Sequence, residues 1–116
     1  MSCPAFIAQS LAVRTAAHLL HLSSTSYSQH MALGDFYEEL EDLIDRYAEV
    51  YMGMEGQVKR WPSVTPPEDT PVTLLEDYLD AIHEEMGAGE SEALESILAE
   101  LEELTSQSLY KVRHLK

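Results

Sequence analysis

SYSQHMALGDFYEELEDLIDRYAEVYMGMEG, residues 26–56, is the stretch that sets the fold. Leu33, Phe36, Tyr37, Leu40, Leu43, Ile44, Tyr47, Ala48 and Tyr51 recur at steps of three and four, which places them on one face of an α-helix. Ser26 and Gln29 stand at capping-box spacing in front of that repeat, so a helix is expected from about 27 to 53. Upstream, Phe6, Ile7, Leu11, Val13, Ala17 and Leu20 have helical spacing to about Leu22. The run Ser23, Ser24, Thr25, Ser26 then breaks the helix, because short hydroxyl side chains compete for backbone hydrogen bonds.

Downstream, Gly53, Gly56, Pro62, Pro66, Pro67 and Pro71 make the stretch 53–72 a connection long enough to cross over a bundle. Thr73 and Glu76 have capping-box spacing and are expected to open a short helix carrying Leu74, Leu75, Tyr78, Leu79, Ile82 and Met86 inward, stopped by Gly87 and Gly89. A last helix starts near Ser91 with Leu94, Ile97, Leu98, Leu101, Leu104 and Leu109 inside and Glu92, Glu95, Glu100, Glu102 and Glu103 outside. No stretch alternates with period two. The reading is all-α: one domain, residues 1–116, folded as a four-helix bundle with a longer Pro-rich crossover between helices 2 and 3.

The chain has 116 residues, 21 acidic against 7 basic, and a formal charge of −14. Such a surface repels a polyanion, so no direct nucleic-acid binding is expected; it attracts metal cations or a basic protein. Cys3 is the single cysteine, which excludes a disulfide framework within one chain and a cysteine-based zinc site, and it fits a reducing cytosol. The apolar stretch from Pro4 to Leu22 is interrupted by Gln9, Ser10, Arg14, His18 and His21 and has no basic leader. A soluble, cytoplasmic protein is therefore expected, with no membrane contact.

Most acids sit on faces expected to be solvated. His18, His30, Asp45 and Glu49 stand apart. His18 and His30 flank the serine break, so a helical hairpin can bring the two imidazoles together. Asp45 and Glu49, four apart, share a face. His30 and Asp45 differ by roughly 60° around the axis but by roughly 22 Å along it, too far for one ion. Two such helices paired antiparallel across a two-fold axis would set the histidines of one subunit against Asp45 and Glu49 of the other, giving two equivalent sites per dimer. Imidazole with carboxylate suits iron(II), zinc or manganese.

That spacing, His18, eleven residues, His30, fourteen residues, Asp45, three residues, Glu49, then Gly53 and Gly56, resembles the ferroxidase segment of the Dps-like, ferritin-like proteins. Asp45-Arg46-Tyr47-Ala48-Glu49 is similar to the family's Asp-x-x-Ala-Glu signature, and Tyr37 falls on a matching position. The resemblance covers Arg14 to Gly56. It implies a ferritin-like bundle, a homodimer sharing iron ligands His18, His30, Asp45 and Glu49 between subunits, and candidate ferroxidase activity. Three departures stand against it: Leu19 replaces the usual Trp, Gly34 replaces an additional acid, and Asp35 is one step out of register, which points to a weakened or single-metal site. Lys111, Arg113 and Lys116 are too few for the family's DNA-binding tail, and neither DNA binding nor a twelve-subunit cage is carried over.

Weaker signals are His21, three after His18, and the pair Asp80 and His83, whose spacing occurs in carboxylate-bridged di-iron bundles with partners such as Glu39 or Glu76. Trp61, after Lys59 and Arg60, is expected to anchor the crossover; an exposed partner-binding aromatic is the sharper alternative. Two other functions remain: an acidic, non-enzymatic interaction module that occupies a basic protein surface, imitating the charge of DNA, or a plain dimeric scaffold without an active site.

Overall fold

The structure, a computed structural model, describes residues 2–116. It consists of α1 (Cys3–Ser23), α2 (Tyr27–Glu55), α3 (Pro71–Met86) and α4 (Glu92–His114), with no strand among the described residues. Among the described residues no helix is long and apolar enough to cross a membrane. α2 has 29 residues, and at a rise of about 1.5 Å each it spans the long dimension of the molecule, which measures 43 × 25 × 19 Å.

Each helix begins on a hydroxyl that accepts from a backbone N–H of the first turn: Ser2 from Ala5, Ser26 from Gln29, Thr70 from Thr73 and Ser91 from Leu94. Two expectations are corrected here. The side chain of Gln29 does not reach back to close a capping box; it donates to the carbonyl of Val112 and ties α2 to the end of α4. The cap of α3 is Thr70 rather than Thr73, because Pro71 takes the first helical position, where its missing N–H costs nothing. α2 runs on to Glu55 and ends where Gly56 adopts φ +95°, a left-handed value that favours glycine.

α1 packs on α2 and more lightly on α3, and α4 packs on α2 and α3. Contacts fix the directions. Cys3 meets Glu85 and Glu90 at one end, and Gln29 meets Val112 at the other. α2 and α3 therefore run the same way, and residues 56–70 must return along the molecule between them. The core is centred on Phe6, Phe36, Leu40, Tyr47, Tyr78 and Leu98, all essentially inaccessible. Tyr78 donates to Ser10 Oγ at 2.8 Å, and Ser10 passes the bond on to the Phe6 carbonyl, so both buried hydroxyls are satisfied. Leu11, expected inside, is 40% exposed and looks out toward the crossover, where Trp61 lies alongside it.

Candidate metal centre

The first residue of α1 and the last turn of α3 meet at one end of the bundle. Cys3 is held there by the Ser2 cap and by Pro4 in the first turn. Glu85 falls seven residues after Tyr78 and three after Ile82, on the inner stripe of α3, so the helix that buries those two residues must also bury a carboxyl. Glu90 follows Gly89, whose φ of +76° turns the chain back into α4.

The Cys3 thiol donates to Glu90 Oε1 at 3.3 Å and lies 4.0 Å from Glu85 Oε1. One ligand atom from each of Cys3, Glu85 and Glu90 can be chosen so that all lie within 4.8 Å of one another. The Tyr47 hydroxyl, fully buried on α2, is 3.7 Å from Cys3 Sγ. Glu85 is 2% exposed, and its Oε2 has no hydrogen-bond partner. Burial, a hydrogen bond with Glu90 and the nearby Glu90 charge push the Glu85 carboxyl up to about 7. Burial raises the Cys3 thiol to about 11, with the Tyr47 hydrogen bond opposing and the Glu90 hydrogen bond and charge adding to the rise. Burial also raises Tyr47. Without an ion, then, the cluster holds protons that a cation can replace.

The sequence-derived ligands fall in two groups, as their spacing on one chain requires. His18, His21 and His30 do gather at the opposite end, beside Tyr37. His18 stacks on Tyr37 at 4.2 Å, and His21 stacks on His30 at 3.7 Å. The Nδ1 atoms of His21 and His30 each bond the other's backbone carbonyl, at 2.6 and 2.7 Å, so both carry their hydrogen on Nδ1. Gly34 makes this possible: a Cβ there would stand 3.0 Å from His21 Cε1. Asp45 and Glu49 are exposed farther down α2, and one chain does not bring all four groups together. His83 pairs with Glu102 at 2.6 Å on the surface and Glu76 with Arg113 at 2.6 Å, so neither joins Asp80 in a central site.

The Dps-like, ferritin-like resemblance is therefore corrected. The group of ligand atoms that the fold assembles is Cys3, Glu85 and Glu90, not the His-His-Asp-Glu pattern. All three residues of the new cluster come from one chain. Sequence reasoning set Cys3 aside because it was alone, although a lone thiol can share an ion with carboxylates. The signal for Glu85 was its register with Tyr78 and Ile82; Glu90 gave none.

A profile described as a family of unknown function (DUF5856) matches residues 21–112. The chain belongs to this family. The matched region contains Glu85, Glu90 and Tyr47, while Cys3 precedes it. The chain is also 31% identical over 107 residues to an uncharacterized 14.6 kDa protein of the mobD–ri intergenic region of Enterobacteria phage T4, covering 86% of this chain and 79% of that relative. No solved structure matches.

Proposed function

We propose that this family member is a helical protein braced by one divalent ion, of the zinc or iron(II) class, held by Cys3, Glu85 and Glu90. The observation that carries the reading is the unpartnered Oε2 of Glu85, buried beside a thiol and a second carboxyl. Tetrahedral bonds of about 2.0 to 2.3 Å place ligand atoms about 3.5 Å apart. The 3.3 Å Cys3–Glu90 separation already meets that, and the 4.0 Å Cys3–Glu85 separation needs only a small contraction. A thiolate in the set favours zinc and iron(II) over magnesium, calcium or manganese. The N-terminal end of α1 stabilises the thiolate through its peptide dipoles, and the Tyr47 hydroxyl can donate to it. A bound ion ties the start of α1 to the α3–α4 corner. Equilibrium dialysis against zinc tests this: one ion per chain is expected, with at least a tenfold weaker affinity for Glu85→Gln, and unchanged binding in that variant defeats the proposal.

A second reading, an acidic module for a basic protein surface, is favoured by a separate observation. A cavity of about 280 Å³ between α2 and α4 is rimmed by Glu39, Asp42, Glu100 and Glu103, with Leu43 and Leu104 beneath them. A lysine-rich helical peptide is expected to bind with strong salt dependence and to be weakened by Glu39→Gln/Glu103→Gln. Binding unaffected by salt or by that pair contradicts it.

A further inference from the structure

A second cavity, of about 480 Å³, opens between α1, α2 and the crossover, within the size range of about 300 to 1,000 Å³ usual for ligand pockets. Leu11, Ala48 and Met52 contribute apolar surface, Trp61 adds an indole, and Asp45 and Glu49 add two carboxylates one helical turn apart. Leu11 and Trp61 are both large apolar residues left about two-fifths exposed at the same opening. Of the neighbouring cations, Arg14 pairs with Glu41 at 3.3 Å and Arg46 with Glu100 on α4, while Lys59 and Arg60 precede Trp61 in the crossover. Among the described residues no ion pair engages Asp45 or Glu49.

We propose that this cavity is the receptor for an arginine side chain carried by a basic segment of a partner protein. A neutral apolar occupant would strip water from two carboxylates and give nothing back, and an anion would be repelled by them and by a chain of charge −14. An arginine meets every part of the lining. Its methylene stem covers Leu11, Ala48 and Met52, its planar fork matches paired carboxylates, and its face stacks on indole. Asp45 is pushed up by burial and by Glu41, Glu49 and Asp42, with Arg14 opposing, and an incoming cation would relieve the net rise. The inference rests on the acidic-module reading and is independent of the metal.

Trp61 is the chain's single tryptophan, so its fluorescence reports on the cavity directly. The full chain is titrated at about 0.15 M salt, where surface attraction is largely screened, with a blocked peptide bearing one central arginine and with its citrulline counterpart. The expected result is a saturable change with the arginine peptide and at least a tenfold weaker response to citrulline. Asp45→Asn/Glu49→Gln should lose the response, while Asp42→Asn/Glu103→Gln, which removes the same charge from the α2–α4 cavity, should keep it; circular dichroism checks that each variant is folded. Equal responses to the two peptides, or an unaltered response in the Asp45/Glu49 variant, overturns the proposal. Loss only in the Asp42/Glu103 variant overturns it as well, while leaving the acidic-module reading standing. No response to the arginine peptide overturns the pocket, and if lysine-rich peptide binding also fails, the module reading falls with it.

Discussion

Glu85→Gln should stabilise the protein once metal is removed, and the gain should grow with pH. The folded state raises this carboxyl from its ordinary value of 4.5 to about 7. A raised acid is bound to its proton more tightly in the folded than in the unfolded chain, so its burial costs nothing below pH 4.5, and the penalty accumulates as pH rises to about 7 and then levels off. At about 1.4 kcal/mol per unit, the full penalty is about 3 kcal/mol. Glutamine has nearly the same shape and carries no charge, so the variant escapes that penalty. Urea unfolding in EDTA at pH 4.5, 6, 7 and 8.5 measures it. The two curves should nearly coincide at pH 4.5, and by pH 8.5 the variant's midpoint should lie about 1 to 2 M urea higher. Zinc should narrow the difference: at a free concentration of 100 times its dissociation constant the wild type gains about 2.7 kcal/mol, whereas a variant that binds tenfold more weakly gains about 1.4 kcal/mol. A variant less stable than wild type at pH 8.5 in EDTA, or a difference that does not change with pH, refutes this account of the cluster.

Other perturbations act on the frame. Gly34→Ala gains about 1 kcal/mol of helix propensity, but its Cβ meets a His21 ring fixed by stacking and by a 2.6 Å hydrogen bond. Overpacking of about 1 to 3 kcal/mol should leave a net loss in chemical denaturation, and a stabilised variant would contradict the packing described. Tyr78→Phe removes the donor to Ser10 in a fully buried pair and should cost about 1 kcal/mol, read from the same curves; no loss would mean that the bond contributes nothing. Thr70→Ala should cost about 1 kcal/mol by removing the α3 cap, whereas Thr73→Ala should cost less, and the opposite ranking would restore Thr73 as the cap.

The bundle was legible because its helices carry strong apolar periodicity: Phe36, Leu40, Ile44 and Tyr47 are on the stripe that the structure buries. The serine break and the long crossover were equally plain, since hydroxyl and proline residues act locally. The candidate site was not legible, for two physical reasons. Cys3 and Glu85 are 82 positions apart and meet only because α1 and α3 pack side by side, a tertiary fact that local spacing does not encode. His18, His30, Asp45 and Glu49 did form a pattern with metal-ligand chemistry. In one chain His30 donates Nδ1–H to a backbone carbonyl and stacks on His21, while Asp45 and Glu49 border a separate cavity, the separation that their spacing requires of a single chain. Glu95, expected on a solvated face, is half-buried with an unpartnered Oε1, because the start of α4 lies against its neighbours more closely than its sequence of acids implies.

X-ray absorption at the zinc edge, on the full chain loaded with one equivalent of zinc, tests the central claim most directly. A centre built from Cys3, Glu85 and Glu90 should show one sulfur at about 2.3 Å and oxygens near 2.0 Å, with the sulfur shell lost in Cys3→Ser. A zinc shell of nitrogen and oxygen only, with the multiple scattering of imidazole, would place the ion among the histidines instead and contradict the account.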